Sequence, residues 1–126
     1  MKLRIKGSSL RLRLTQGEVE QLTRTGEVEE LVQFAEGTLR YRIRRDAAAA
    51  SIGARYSGDL IEIRVPDQAA RHWSGSNEVT LENSQAVPGA QLRIVIEKDF
   101  ACLAPRPNED ESDNYPHPEE AGGKTC

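Results

Sequence analysis

Lysine and arginine fall on every second residue of three short apolar stretches, and that spacing is the most distinctive chemistry in the chain. Lys2, Arg4 and Lys6 alternate with Leu3 and Ile5; Arg11 and Arg13 alternate with Leu10, Leu12 and Leu14; Arg40, Arg42 and Arg44 alternate with Leu39, Tyr41 and Ile43. A period of two puts the cations on one face of a strand and the apolar residues on the other. Like charges facing one another across strands are unfavourable by roughly 0.2–1 kcal/mol per pair, so an anion should sit among them. A phosphate or carboxylate ligand held by Arg4, Lys6, Arg11, Arg13, Arg40 and Arg42 is one reading. The acidic tail laid across them is another. The plain alternative is a solvated face with Glu27, Glu29, Glu62, Glu78 or Glu82 interleaved.

The second cluster is C-terminal. Lys98 and Asp99 close an apolar strand, and Glu109 to Pro118 (EDESDNYPHP) follows. Tyr115 between turn formers is a poor linker residue and a good anchor, since an exposed ring there gains by packing on the domain. Lys98, Asp99, Asp110, Asp113, Asn114 and Tyr115 are therefore the residues expected to dock the tail or hold a protein partner. No metal site is assigned: the carboxylates lack the calcium-loop pattern, and Cys102 with His117 has no zinc spacing. No cofactor is implied, because Gly122-Gly123-Lys124 lacks the strand and helix of a phosphate loop. No catalytic residue is assigned either. Ser8 and Ser9 have no histidine at a recognisable spacing, His72 reads as a surface residue, and Cys102 reads as a small buried hydrophobe. The chain reads first as a non-catalytic binding or accessory module that takes a protein partner through its charged sheet face and C-terminal motif, with the anionic-ligand site as the alternative, and more as a binding module than as an enzyme.

The elements that would position these residues are short. Lys2–Lys6 and Leu10–Leu14 predict a hairpin around Gly7-Ser8-Ser9. Thr15 and Glu18 form a capping box, with Leu14 and Val19 as its staple, Leu22 on the apolar face and Gly26 as the stop; Gly17 limits this helix to about two turns. Residues 28–35 read as an imperfect strand or a helix, with Glu30 the misfit on its apolar side. Further hairpins are expected over 28–44 and 51–65. A second short helix opens at Pro66-Asp67 with Asp67 as N-cap and Trp73 facing the core. Strands over 78–82 and 91–98 complete an α+β fold, mainly one antiparallel sheet or a partly closed barrel with two short helices. No internal repeat is evident. Expected core residues include Ile5, Phe34, Tyr41, Ile43, Ile63, Trp73, Ile94 and Ile96.

Charge divides the chain. Up to Pro105 there are 15 Lys+Arg and 14 Asp+Glu, and from Arg106 onward two against six. A domain over 1–105 with an acidic, Pro-rich tail over 106–126, docked over 109–118, follows. The neutral domain argues against nucleic acid as a partner. No apolar run reaches the ~18–20 residues of a membrane span, and MKLRIKGSS has no signal-peptide core. With no disulfide framework, a cytoplasmic location is expected. A homo-oligomer is left open.

Two resemblances add to this. The cation rows resemble those of triphosphate tunnel enzymes, which would imply a metal-dependent phosphohydrolase with inward Arg, Lys and Glu; the alternating Glu and Lys of their first strand is absent, since positions 2–6 read Lys-Leu-Arg-Ile-Lys. Over nearly its whole length the chain resembles a family of small bacterial proteins of unknown function, through KGSSLRLRLT (6–15), Val28-Glu29-Glu30 with Gln33-Phe34, LRIVIEKDFACL (92–103) and EDESDNYPHP. That resemblance implies a bacterial cytosolic source and no reaction. His117 stands where such relatives have Asn.

Overall fold

The structure, a computed structural model, describes residues 1–100 and 112–116. The alternating stretches become eight strands: β1 Lys2–Ile5, β2 Ser9–Leu14, β3 Glu27–Gln33, β4 Thr38–Asp46, β5 Gly53–Ser57, β6 Leu60–Pro66, β7 Thr80–Val87 and β8 Ala90–Lys98. Helix α1 (Gln16–Thr25) follows β2, and α2 (Asp67–Ser74) follows β6. The α+β class is as expected, but the strands form two open four-stranded sheets, ordered β1-β2-β8-β7 and β3-β4-β6-β5. Each joins two antiparallel hairpins through one parallel pair, β2 with β8 and β4 with β6.

The expectation of no internal repeat is corrected here. Strands β1-β2-β8-β7 match β5-β6-β4-β3 in order and direction, so the chain is two ββαββ halves that exchange their second hairpins. The registers agree: Lys2 faces Arg13 as Gly53 faces Arg64, and Ser9 lies beside Arg93 as Leu60 lies beside Arg40. Buried positions coincide, with Leu12 and Ile63, Leu14 and Val65, Leu22 and Trp73, and Ile43 and Ile96 as counterparts. The halves share residue class and hardly any identity, which conceals the repeat from a reading by composition.

The inner faces of both sheets and both helices build one core of Leu, Ile and Val around Trp73. The helices close one end and the hairpin turns lie at the other. The capping box forms: Thr15 Oγ1 accepts from the Glu18 N–H at 3.4 Å, and Glu18 Oε1 from the Thr15 N–H at 2.9 Å. Gly26 ends the helix at φ 91°, where a side chain would be strained. Asp67 is not the N-cap of α2. Pro66 takes that place with no side-chain cap, and the Asp67 carboxylate accepts from Arg45 and Arg71, which hold it below the usual carboxylate range.

The sheets meet at their edges through side chains. Tyr41 Oη donates to the Met1 carbonyl at 3.1 Å, and the Met1 amino group contacts Glu30 at 2.9 Å, which gives the inward misfit on β3 its partner. On the opposite edge, Asn83 Nδ2 donates to the Ile52 carbonyl, while the Gln85 amide both accepts from and donates to the backbone of Ala54. Ile5 and Phe34, expected in the core, are exposed at the turn end, beyond the reach of the packed layers. No described helix is long and apolar enough to cross a membrane.

Candidate functional site

The β1-β2 register sets cation against cation, with Lys2 opposite Arg13 and Arg4 opposite Arg11 on the outer face of the first sheet. The parallel neighbour β8 supplies part of the compensation. Glu97 accepts from Arg11 at 2.9 Å and from Arg13 at 2.7 Å, and Asp99 lies 3.3 Å from the Lys2 ammonium. Arg93 pairs with Glu82 on β7 at 2.9 Å. Among the described residues Arg4 and Lys6 have no acidic partner. Together with Ser9, Arg11 and Arg93 they line a polar pocket of about 230 Å³.

The remaining arginines do not join that surface. Arg40 and Arg42 lie on the outer face of the second sheet, because β4 pairs with β3 and β6 rather than with β2. There Arg42 reaches Glu29 at 2.8 Å, Glu62 at 3.1 Å and Glu27 at 3.4 Å, and Arg40 lies 3.9 Å from Glu29. Hydrogen bonding to Glu29 strengthens the hold of Arg42 on its proton, against the opposing effect of burial. Glu62 is the hub. It lies 3.0 Å from Arg64, 3.1 Å from Arg42 and 3.9 Å from Arg44. Burial pushes its carboxyl up, but the Arg64 hydrogen bond and the fields of Arg44 and Arg64, with the Arg42 bond, hold it below its ordinary value. Glu62 is the counterpart of Arg11 in the repeat. The second sheet thus carries a built-in anion at the position where the first carries another cation.

The C-terminal cluster assembles at the helix end, and Asp99 alone of its described residues pairs with a cation of these faces, Lys2. The Asp113 carbonyl accepts from the Gln16 N–H at 3.1 Å, and its carboxylate lies 3.3 Å from the Gly17 N–H. A Cβ on Gly17 would stand 2.9 Å from Asp113 Oδ2, so the glycine that weakens α1 by sequence is what admits the carboxylate. Gln16 Nε2 donates to the carbonyl of buried Asn114. The Tyr115 N–H donates to the Asp99 carbonyl at 2.7 Å, and its ring centroid lies 5.4 Å from that of Phe100. Lys98 is buried between the rings of Trp73 and Tyr115 and donates to the Ser76 carbonyl at 2.7 Å. Burial lowers its pKa against the opposing field of Glu78. Its counterpart Arg45 donates to the Leu22 carbonyl in the last turn of α1, whereas Lys98 reaches a carbonyl just past the end of α2. Asp110, Cys102 and His117 lie outside the described residues.

Asp113→Ala should loosen residues 112–116 at a cost of about 1 kcal/mol, the usual worth of an acidic group at a helix N-terminus. Faster proteolytic cleavage near residue 112, with the core transition little changed, is the expected readout. Unchanged cleavage would show that Tyr115 and Asn114 suffice.

Residues 1–119 match one family throughout, a span that takes in the strands, the cation pocket and the docked segment. The chain belongs to DUF7009, a family of unknown function. No curated protein and no solved structure matches it. Reading of the sequence passed over one member of the pocket, Arg93. The phase of β8 already sets Arg93 on the same side as Glu97, but only the parallel β2-β8 pairing carries it to Ser9, and no local pattern announces that pairing. Among the described residues no group of His, Cys, Asp or Glu could hold a metal ion.

Proposed function

We propose that the domain is a non-catalytic binding module whose pocket between β1, β2 and β8 takes a phosphate or carboxylate group of an anionic ligand. The observation that carries this reading is the pair of cations without an acidic partner among the described residues, Arg4 and Lys6, beside Arg11 and Arg93 in one polar pocket. The second half supports it by contrast, because there the cross-strand partner of Arg55 is the acidic Glu62, where the first half sets Arg11 against Arg4. Arginine suits such oxyanions, since its planar fork donates two parallel bonds. A cytoplasmic setting, where phosphorylated metabolites abound, fits the reading.

Capture of a protein partner by the C-terminal motif has less behind it, since Asp113, Asn114 and Tyr115 are engaged with the domain itself. The tunnel-type phosphohydrolase has less still. It needs arginines and glutamates facing inward, and the space between the sheets is filled by Leu12, Ile43, Ile63 and Ile96.

The test is a melting series at low salt with inorganic phosphate, triphosphate, ATP, citrate and polyphosphate. A ligand at ten times its Kd adds about 1.4 kcal/mol, on the order of 5 °C for a domain of this size. Arg4→Glu with Lys6→Glu should abolish the shift, and Arg40→Gln on the other sheet should leave it. A flat response to all five anions, or a shift that survives the double charge reversal, would sink the proposal.

A further inference from the structure

The outer face of the first sheet is laid out in rungs two residues apart, about 7 Å, the repeat of side chains on one face of a strand. On the rung nearest the turn Lys6, one residue past β1, exchanges backbone hydrogen bonds with Ser9 at 3.1 and 3.2 Å, and Ser9 lies beside Arg93. Arg4 and Arg11 face each other on the next rung. Lys2, Arg13 and Glu97 make the third. The small side chain of Ser9 leaves the floor of the pocket open among the four cations, and its hydroxyl already donates to the Lys6 carbonyl at 2.6 Å. In the second half Leu60 stands at the place of Ser9, and Glu62 at that of Arg11.

Charge and lining narrow what this pocket can take. Around it Arg4, Lys6, Arg11, Arg13 and Arg93 share two carboxylates, Glu82 and Glu97, an excess of three positive charges among the described residues. The carboxylates stand on two sides, Glu82 on β7 and Glu97 on the third rung, and they repel an anion that runs on past the second. Every lining residue is charged or polar, so a purine ring or a carbon chain finds no aromatic or apolar side chain to lie on. Resting on the reading of this pocket as an anion site, we infer that its ligand is a short condensed phosphate, two or three linked phosphoryl groups bridging the first two rungs, either free or as the end of a larger molecule. Linked phosphoryl groups bring several negative charges in little volume, with oxygens to meet both rungs; a single phosphate reaches one.

The test is calorimetric titration of the full chain, without divalent cations and at fixed ionic strength, with phosphate, diphosphate, triphosphate, ATP and citrate. Triphosphate should bind about tenfold or more tighter than phosphate, ATP within about threefold of triphosphate, and citrate more weakly than either. Arg4→Gln and Lys6→Gln, one from each rung and both exposed, should each weaken triphosphate about fivefold, as expected for loss of one charge-assisted contact, while phosphate loses with only one of them. Ser9→Leu installs the second half's residue and should close the pocket to all five anions. ATP roughly tenfold tighter than triphosphate, or phosphate or citrate as tight as triphosphate, would overturn the inference and leave an anion site of another kind. Triphosphate binding that ignores either Gln substitution, or survives Ser9→Leu, would overturn it as well. No binding by any of the five would remove the anion-site reading itself.

Discussion

Replacing Trp73 with alanine should cost about 3–5 kcal/mol of folding free energy, the usual range for deleting a large aromatic from a core. Trp73 is fully buried, its indole Nε1 donates to the Val79 carbonyl at 2.9 Å, and the Lys98 ammonium stands 5.7 Å from its ring. The deletion would open a void between α2 and both sheets and remove one of the two rings that shelter Lys98. Trp73→Leu is the sharper comparison, because leucine is what the first half uses at the same place, in Leu22. It should cost only about 2 kcal/mol, since the Val79 carbonyl still accepts from the Lys98 N–H. Denaturant midpoints at constant slope would read both values. A loss under ~1.5 kcal/mol for the alanine variant would mean the two halves do not share one core around this ring.

Glu62→Gln should destabilise by about 2–3 kcal/mol, because it strips the charge from a mostly buried carboxylate that serves several arginines. The pH dependence gives an independent check. The Glu62 carboxyl is held below its ordinary value in the folded chain, so as pH falls the unfolded chain takes up the proton first. Its contribution is fully present above the unfolded value near pH 4.3 and is lost as pH falls through the lower folded value. The wild-type chain should therefore lose stability on acidification through that window more steeply than Glu62→Gln. Parallel acid limbs for the two proteins would refute the hub role. Arg42→Gln should be milder, because Arg64 and Arg44 still serve the carboxylate.

The legible parts of the fold were those with local causes. The alternation at 10–14 and 38–44, the Thr15–Glu18 capping box and the Gly26 stop all became the elements they suggested. Pairing between distant strands was not legible. Nothing in Ser9–Leu14 marks it as the parallel neighbour of a strand some eighty residues on, so the cations of β2 and β4 read as one surface when they belong to two. The period of two separates faces but does not say whether a strand's end is covered, and Ile5 and Phe34 lie where cover stops. Of the candidate site, Arg4, Lys6 and Arg11 were visible from spacing alone. Arg13 was visible too, but it does not line the pocket, although it shares Glu97 with Arg11.

The exchange of hairpins between the halves also governs the order in which the chain can fold during synthesis. Every strand of the second sheet lies between residues 27 and 66, so it can assemble while the ribosome is still translating the rest. The first sheet draws on both ends of the chain. One edge of β2 stays unsatisfied until β8 has emerged, and a free apolar edge of that kind is where nascent chains stick to one another. The alternating cations of β1 and β2 set like charges beside that open edge, and like charge disfavours the edge-to-edge joining of two unfinished chains before β8 arrives.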